Sequence, residues 1–131
     1  MILVLDTSAA AEMVLNGKRA SGIQGHFLDA EWVISPTLYI SEISNVFWKY
    51  YQFKKMPLDA CESGLDHALS LPDEFCRDHE LCREAFALSC LTGKPVYDMF
   101  YLVAARRYNG SLLTLDSSLK RTAEKHAIRT L

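Results

Sequence analysis

The chain has 131 residues, 50% hydrophobic and 23% charged, with a formal net charge of -2 at pH 7. That length and balance predict a single domain over residues 1–131 with an adequate core. They exclude a strongly cationic nucleic-acid coat protein, but not a nucleic-acid enzyme whose own acids are offset by bound cations. The opening MILVLDTS has no basic segment and too short an apolar run for an export signal, and no stretch is long enough to span a bilayer. Cys61, Cys76, Cys82 and Cys90 contain no CxxC pair and are expected to be reduced thiols of a cytoplasmic protein.

Ile2–Leu5 reads as a buried-type strand ended by Asp6. Thr7 and Ser8 are candidate caps for a short helix over Ala9–Leu15, stopped at Asn16-Gly17. Lys18–Leu28 follows as a second helix and Trp32–Ser35 as a brief strand. Pro36 suits a first helical position. Thr37–Phe53 is a long helix with apolar residues at Leu38, Ile40, Ile43, Val46, Phe47 and Tyr50. Pro57 starts a helix to about Leu71, Pro72–Cys76 is a loop or short strand, and Asp78–Leu91 is an amphipathic helix ended by Gly93 and Pro95. Asp98 stands at the predicted start of a helix carrying Met99, Leu102, Val103 and Ala105, stopped by Asn109-Gly110. Leu112–Leu115 is a continuous apolar run suited to a strand buried on both faces. Asp116 follows it, Ser117 caps a last helix to about His126, and Ile128–Leu131 is an edge strand.

The alternation of strands and helices predicts an α/β fold in three layers, with a central, mostly parallel sheet between helices. Two strands end in an aspartate, Asp6 and Asp116, and in a parallel sheet both reach the edge where ligands bind. Taken singly, the acids have ordinary explanations: Asp6 as a cap, Asp98 as a helix N-terminal acid, Asp116 as a turn residue. Glu42 shares a helical face with Leu38 and Val46, where an unpaired carboxylate is costly. A salt bridge to Lys49 is its structural alternative.

The four segments that carry these acids resemble the PIN-domain family of metal-dependent nucleases, and within it the small VapC-type toxins. VLDTS is similar to the first motif, with Asp6 and its companion Ser8; SEISNV to the second, with Glu42; YDMFYLVAA to the third, with Asp98; and LLTLDSSL to the fourth, with Thr114 and Asp116. The likeness spans essentially the whole chain. Ser118 stands where some members carry a further aspartate, which leaves the core quartet intact.

Carboxylates forced together repel, and a hard divalent cation removes the conflict. Oxygen-only donors suit Mg²⁺ or Mn²⁺ rather than Zn²⁺. One or two such ions can activate water and stabilise a leaving 3′ oxygen, so the implied reaction is hydrolysis of RNA phosphodiester bonds. The resemblance implies 5′-phosphate and 3′-hydroxyl products. Asp6, Glu42, Asp98 and Asp116 are the expected catalytic and metal-binding residues, with Ser8, Asn45 and Thr114 supporting them. It further implies a small VapB-like antitoxin and a homodimer.

The alternative is a non-catalytic PIN-like module for RNA or protein, which would normally have lost part of the quartet. A haloacid dehalogenase would want DxDx[TV] where Ser8 stands, and a receiver domain would want paired acids at Leu5-Asp6. The Cys76, His79, Cys82 spacing lacks a fourth ligand for a metal site, and helix packing is the expected role of Cys82 and Cys90. The aromatic run from Phe47 to Phe53 fits a core or dimer interface better than base stacking.

Overall fold

The computed structural model describes all of residues 1–131. In chain order the elements are β1 (Ile2–Leu5), α1 (Thr7–Val14), α2 (Ala20–Asp29), β2 (Trp32–Pro36), α3 (Leu38–Lys54), α4 (Leu58–Ser70), β3 (Glu74–Cys76), α5 (Asp78–Thr92), α6 (Val96–Arg107), β4 (Ser111–Leu113) and α7 (Ser117–Lys125). The sheet order is β3-β2-β1-β4, and every pair is parallel. The chain leaves β1 towards β2 on one side and returns from β3 to place β4 on the other. The junction of β1 and β4 is therefore the switch point of a doubly wound sheet.

Side chains alternate across the strands, as the pleat requires. Leu3, Leu5, Val33 and Leu113 pack with Ala9, Ala10, Ile23, Tyr39, Ile43, Phe47 and Ala68 of α1–α4. Val4, Ile34, Cys76 and Leu112 pack with residues of α5, α6 and α7. Both faces are covered, which is why β1 and β4 read as uninterrupted apolar runs. Gly64 of α4 lets α3 approach closely: a Cβ there would lie 2.5 Å from the Phe47 ring.

Several local readings are corrected. Asp6, not Thr7 or Ser8, caps α1, its carboxylate accepting from Ala9 N. Asp116 likewise takes the cap of α7 in place of Ser117. Pro36 ends β2, paired with Cys76, rather than opening α3; a strand's end is where its missing N–H costs least. Helix α6 starts at Val96, with Pro95 before it, so Asp98 lies inside the first turn. Strand β4 stops at Leu113. The C-terminal segment adds one parallel bridge, Leu112 to Thr130, instead of a full edge strand. All four cysteines are free, and Cys82 and Cys90 are exposed rather than packed.

One latch joins helices from opposite faces of the sheet. Asp78 Oδ1 accepts from Leu38 N at 3.0 Å, and Asp78 N donates to Thr37 Oγ1 at 3.0 Å. Each helix start thus satisfies an orphan amide of the other. Asp78→Ala is expected to cost about 1–2 kcal/mol and to lower the melting temperature by several degrees in a thermal melt. An unchanged melting temperature would show that water caps α3 equally well.

Candidate active site

Four acids converge on the carboxyl edge of the sheet around the switch point. Asp6 directly follows β1, and Asp116 closes the turn after β4. Glu42 lies early in α3 and Asp98 in the first turn of α6. The two helices come from opposite faces, so the strand-end acids are flanked by one helical acid from each layer.

Asp6 is 5% exposed and its carboxylate is fully engaged. Oδ1 accepts from Ser8 Oγ at 2.7 Å and from Ala9 N at 3.0 Å, while Oδ2 accepts from Thr114 Oγ1. Ser8 Oγ in turn accepts from Leu115 N at 3.0 Å, and Thr114 Oγ1 from Asp116 N at 3.0 Å. Two hydroxyls therefore stitch the turn after β1 to the turn after β4. Asp116 Oδ1 accepts from Ser118 N at 2.9 Å and Leu119 N at 3.2 Å. Glu42 Oε1 accepts from the Tyr101 hydroxyl at 2.5 Å.

The acids feel one another. Burial pushes the Asp6 carboxyl above its ordinary value, hydrogen bonds from Thr114, Ala9 and Ser8 oppose this, and the charge of Asp116 adds to it. Glu42 is raised by burial, against its bond from Tyr101, and further by Asp98 and Asp6. Asp98 is raised by burial and by Asp116, and eased by the Lys94 ammonium. The repulsion links Asp6 to Asp116, Asp116 to Asp98, Asp98 to Glu42 and Glu42 back to Asp6. Asp78 adds to the effect on Glu42, and repulsion of this kind is what a bound cation would relieve.

The arrangement is an open rim rather than a pocket. No cavity in the molecule is lined by any of the four acids. No three His, Cys, Asp or Glu side chains are grouped so that they could hold a metal ion between them as they stand, neither the four acids nor Cys76, His79 and Cys82. The carboxylates of Asp6, Glu42 and Asp116 are instead turned to protein donors, while Asp98 has none. The donor set still fits Mg²⁺ or Mn²⁺, because it is all oxygen and because Mg²⁺ takes only one or two carboxylates directly and keeps several waters.

Ser8 and Thr114 lie in the hydrogen-bond network, as anticipated. Asn45 does not: it is exposed and bonds to none of the acids. Lys49 is exposed as well, and the partner of Glu42 is Tyr101 instead. The sequence reading missed Tyr101 and Lys94. The available signals were modest. Tyr101 lies three residues after Asp98 in the same helix, and Lys94 is the one cation within a turn before it.

The PIN-domain pattern matches residues 3–125, and the chain belongs to the PIN-domain family. It is 29% identical over 122 residues to Ribonuclease VapC3 of Pyrobaculum aerophilum, a match covering 91% of this chain and 92% of that protein. Three crystal structures share the fold. PAE2754 of Pyrobaculum aerophilum has a TM-score of 0.75 at 20% identity, over 93% of this chain and 87% of that one. VapC20 of Mycobacterium tuberculosis, a Sarcin-Ricin loop cleaving toxin, has 0.68 at 13% identity, over 91% and 93%. VapBC2 of Rickettsia felis, bound to a DNA fragment from its promoter, has 0.68 at 15% identity, over 100% and 98%.

Proposed function

We propose that this protein is a Mg²⁺- or Mn²⁺-dependent endoribonuclease and the toxin of a type II, VapBC-like pair acting in the cytoplasm. The observation that carries this reading is the placement of Asp6, Glu42, Asp98 and Asp116 at the carboxyl edge of the sheet, around the switch point between β1 and β4. The VapC3 likeness over most of both chains supports the choice of RNA as substrate. An open rim suits a polymer, which must lie across the site rather than enter it.

Asp6, Asp98 and Asp116 would hold one or two divalent ions, directly or through water, and Glu42 would orient the attacking water. The ion, when bound, supplies a more acidic water and charge to stabilise the leaving 3′ oxygen. Ser8 and Thr114 fix both oxygens of Asp6, so that carboxylate has one orientation before any ion arrives. Tyr101 does the same for Glu42. The products would carry 5′-phosphate and 3′-hydroxyl ends.

A VapB-like antitoxin and a homodimer complete the proposal. Exposed Trp48, Tyr51, Phe53 and Leu58 offer apolar surface for such partners, with Trp48 and Phe53 stacked edge to face at 5.6 Å. Of the aromatic run only Phe47 enters the core. The test is incubation of the purified protein with total cellular RNA in Mg²⁺ or Mn²⁺, followed by mapping of the cleaved ends. Discrete cuts bearing 5′-phosphates are expected, abolished by EDTA. Cutting that persists in EDTA would remove the metal from the reading, and intact RNA under all conditions would remove the nuclease.

A further inference from the structure

Lys94 is the one cation built into the acidic rim. It sits in the short connection between α5 and α6, four residues before Asp98. It is the only positive charge felt among Asp6, Glu42 and Asp98. Its backbone is clamped from both sides: Ser89 Oγ donates to Lys94 O, and Lys94 N donates to Thr92 Oγ1 at 3.3 Å. Gly93 before it takes φ 71, a left-handed turn, and Pro95 after it fixes the entry to α6.

The ammonium crosses to α7 and donates to Ser118 Oγ at 3.2 Å. It forms no salt bridge, since the three in the molecule are Met1 with Glu31 and Glu84 with Arg106 and Arg107. An ammonium carries three donors, and Ser118 takes one. Two donors therefore have no protein partner, on a half-buried cation that acts on Asp98, and they are free for water or for an anionic ligand.

We propose that Lys94 binds the non-bridging oxygens of the RNA phosphate lying across the rim, and supplies positive charge there in addition to that of the divalent ion. This rests on the nuclease reading above and names the side chain that grips its substrate. Lys94 thus eases the repulsion between Asp98 and Asp116 before substrate arrives, then transfers its two open donors to phosphate. A weakly held hydroxyl partner suits that role, because little is lost when the ammonium swings.

The test uses fluorescence anisotropy of a labelled oligouridylate with Ca²⁺ in place of Mg²⁺, over a series of KCl concentrations. For Lys94→Met we expect binding weaker by about 5- to 20-fold, and a salt slope smaller in magnitude by about 0.7, one phosphate contact to a single strand. Lys94→Arg should restore most of the slope. Calorimetric titration of Mn²⁺ into the Lys94→Met protein should show roughly 3- to 10-fold tighter binding, because a competing cation has gone. An unchanged salt slope in a folded Lys94→Met protein overturns the proposal whatever Mn²⁺ does. Failure of the nuclease reading looks different: the wild-type protein would then leave RNA intact with Mg²⁺ and Mn²⁺ alike.

Discussion

Asp98→Asn is expected to lower Mg²⁺-dependent RNA cleavage by roughly 10²- to 10⁴-fold, since several kcal/mol of transition-state stabilisation pass through the ion that the rim holds. The substitution keeps size and shape while removing one charge from the ring. Asp98 is half-buried, and its strongest electrical neighbour is Asp116. In metal-free protein the change therefore relieves repulsion, offset by the loss of the Lys94 attraction and of a favourable acid in the first turn of α6. The melting temperature in EDTA should be equal or higher, while the stabilisation gained on adding Mn²⁺ should shrink. Loss of activity with loss of folding would instead place Asp98 among structural residues, and wild-type activity in a folded variant would take it out of the site. Asp6→Asn is a poorer probe. Both oxygens of Asp6 already accept hydrogen bonds, so an amide there sets donor against donor.

The metal-free protein is expected to be more stable at pH 5 than at pH 7.5, with Mg²⁺ or Mn²⁺ removing the difference. Asp6, Glu42 and Asp98 are all raised above their ordinary values, each chiefly by burial. The folded state thus holds protons that the unfolded chain has already released. The stability this contributes is fully present below the unfolded carboxyl values near 4 and is lost as pH rises through the higher folded ones. Glu84, held down by Arg107, acts in the opposite sense, but only at pH below this window. Thermal melts in EDTA should show a fall of several degrees from pH 5 to pH 7.5. Metal at about 100 times its dissociation constant would add about 2.7 kcal/mol at the higher pH. A melting temperature that climbs with pH in EDTA would show that these carboxyls are not raised in the folded protein.

The layers, and the sheet edge at which Asp6 and Asp116 stand, were legible because the signals are local. An apolar run covered on both faces betrays a parallel strand wherever it lies, and β1 and β4 both announce themselves this way. An acid at the end of such a run is fixed to the sheet's carboxyl edge by the strand itself. The supporting side chains were not legible, because their roles exist only across elements. Tyr101 looks like one more residue of α6 until α3 brings Glu42 to it. Lys94 is an ordinary loop lysine until α7 brings Ser118. Asn45 failed for a simple reason: three residues along a helix leave it about 60° away from Glu42, and here that turns it to solvent. The caps failed because a strand-end aspartate can both cap its own helix and face the rim, so Asp6 and Asp116 displaced the hydroxyl residues beside them.

The stitch between Asp6 and Thr114 joins residues 108 positions apart, and β4 enters the sheet beside the first strand made. In a chain emerging from the ribosome, Asp6 appears 108 residues before that partner exists. The rim is thus assembled only after β4 and Asp116 have been made, and whatever chemistry it performs is deferred by topology until then.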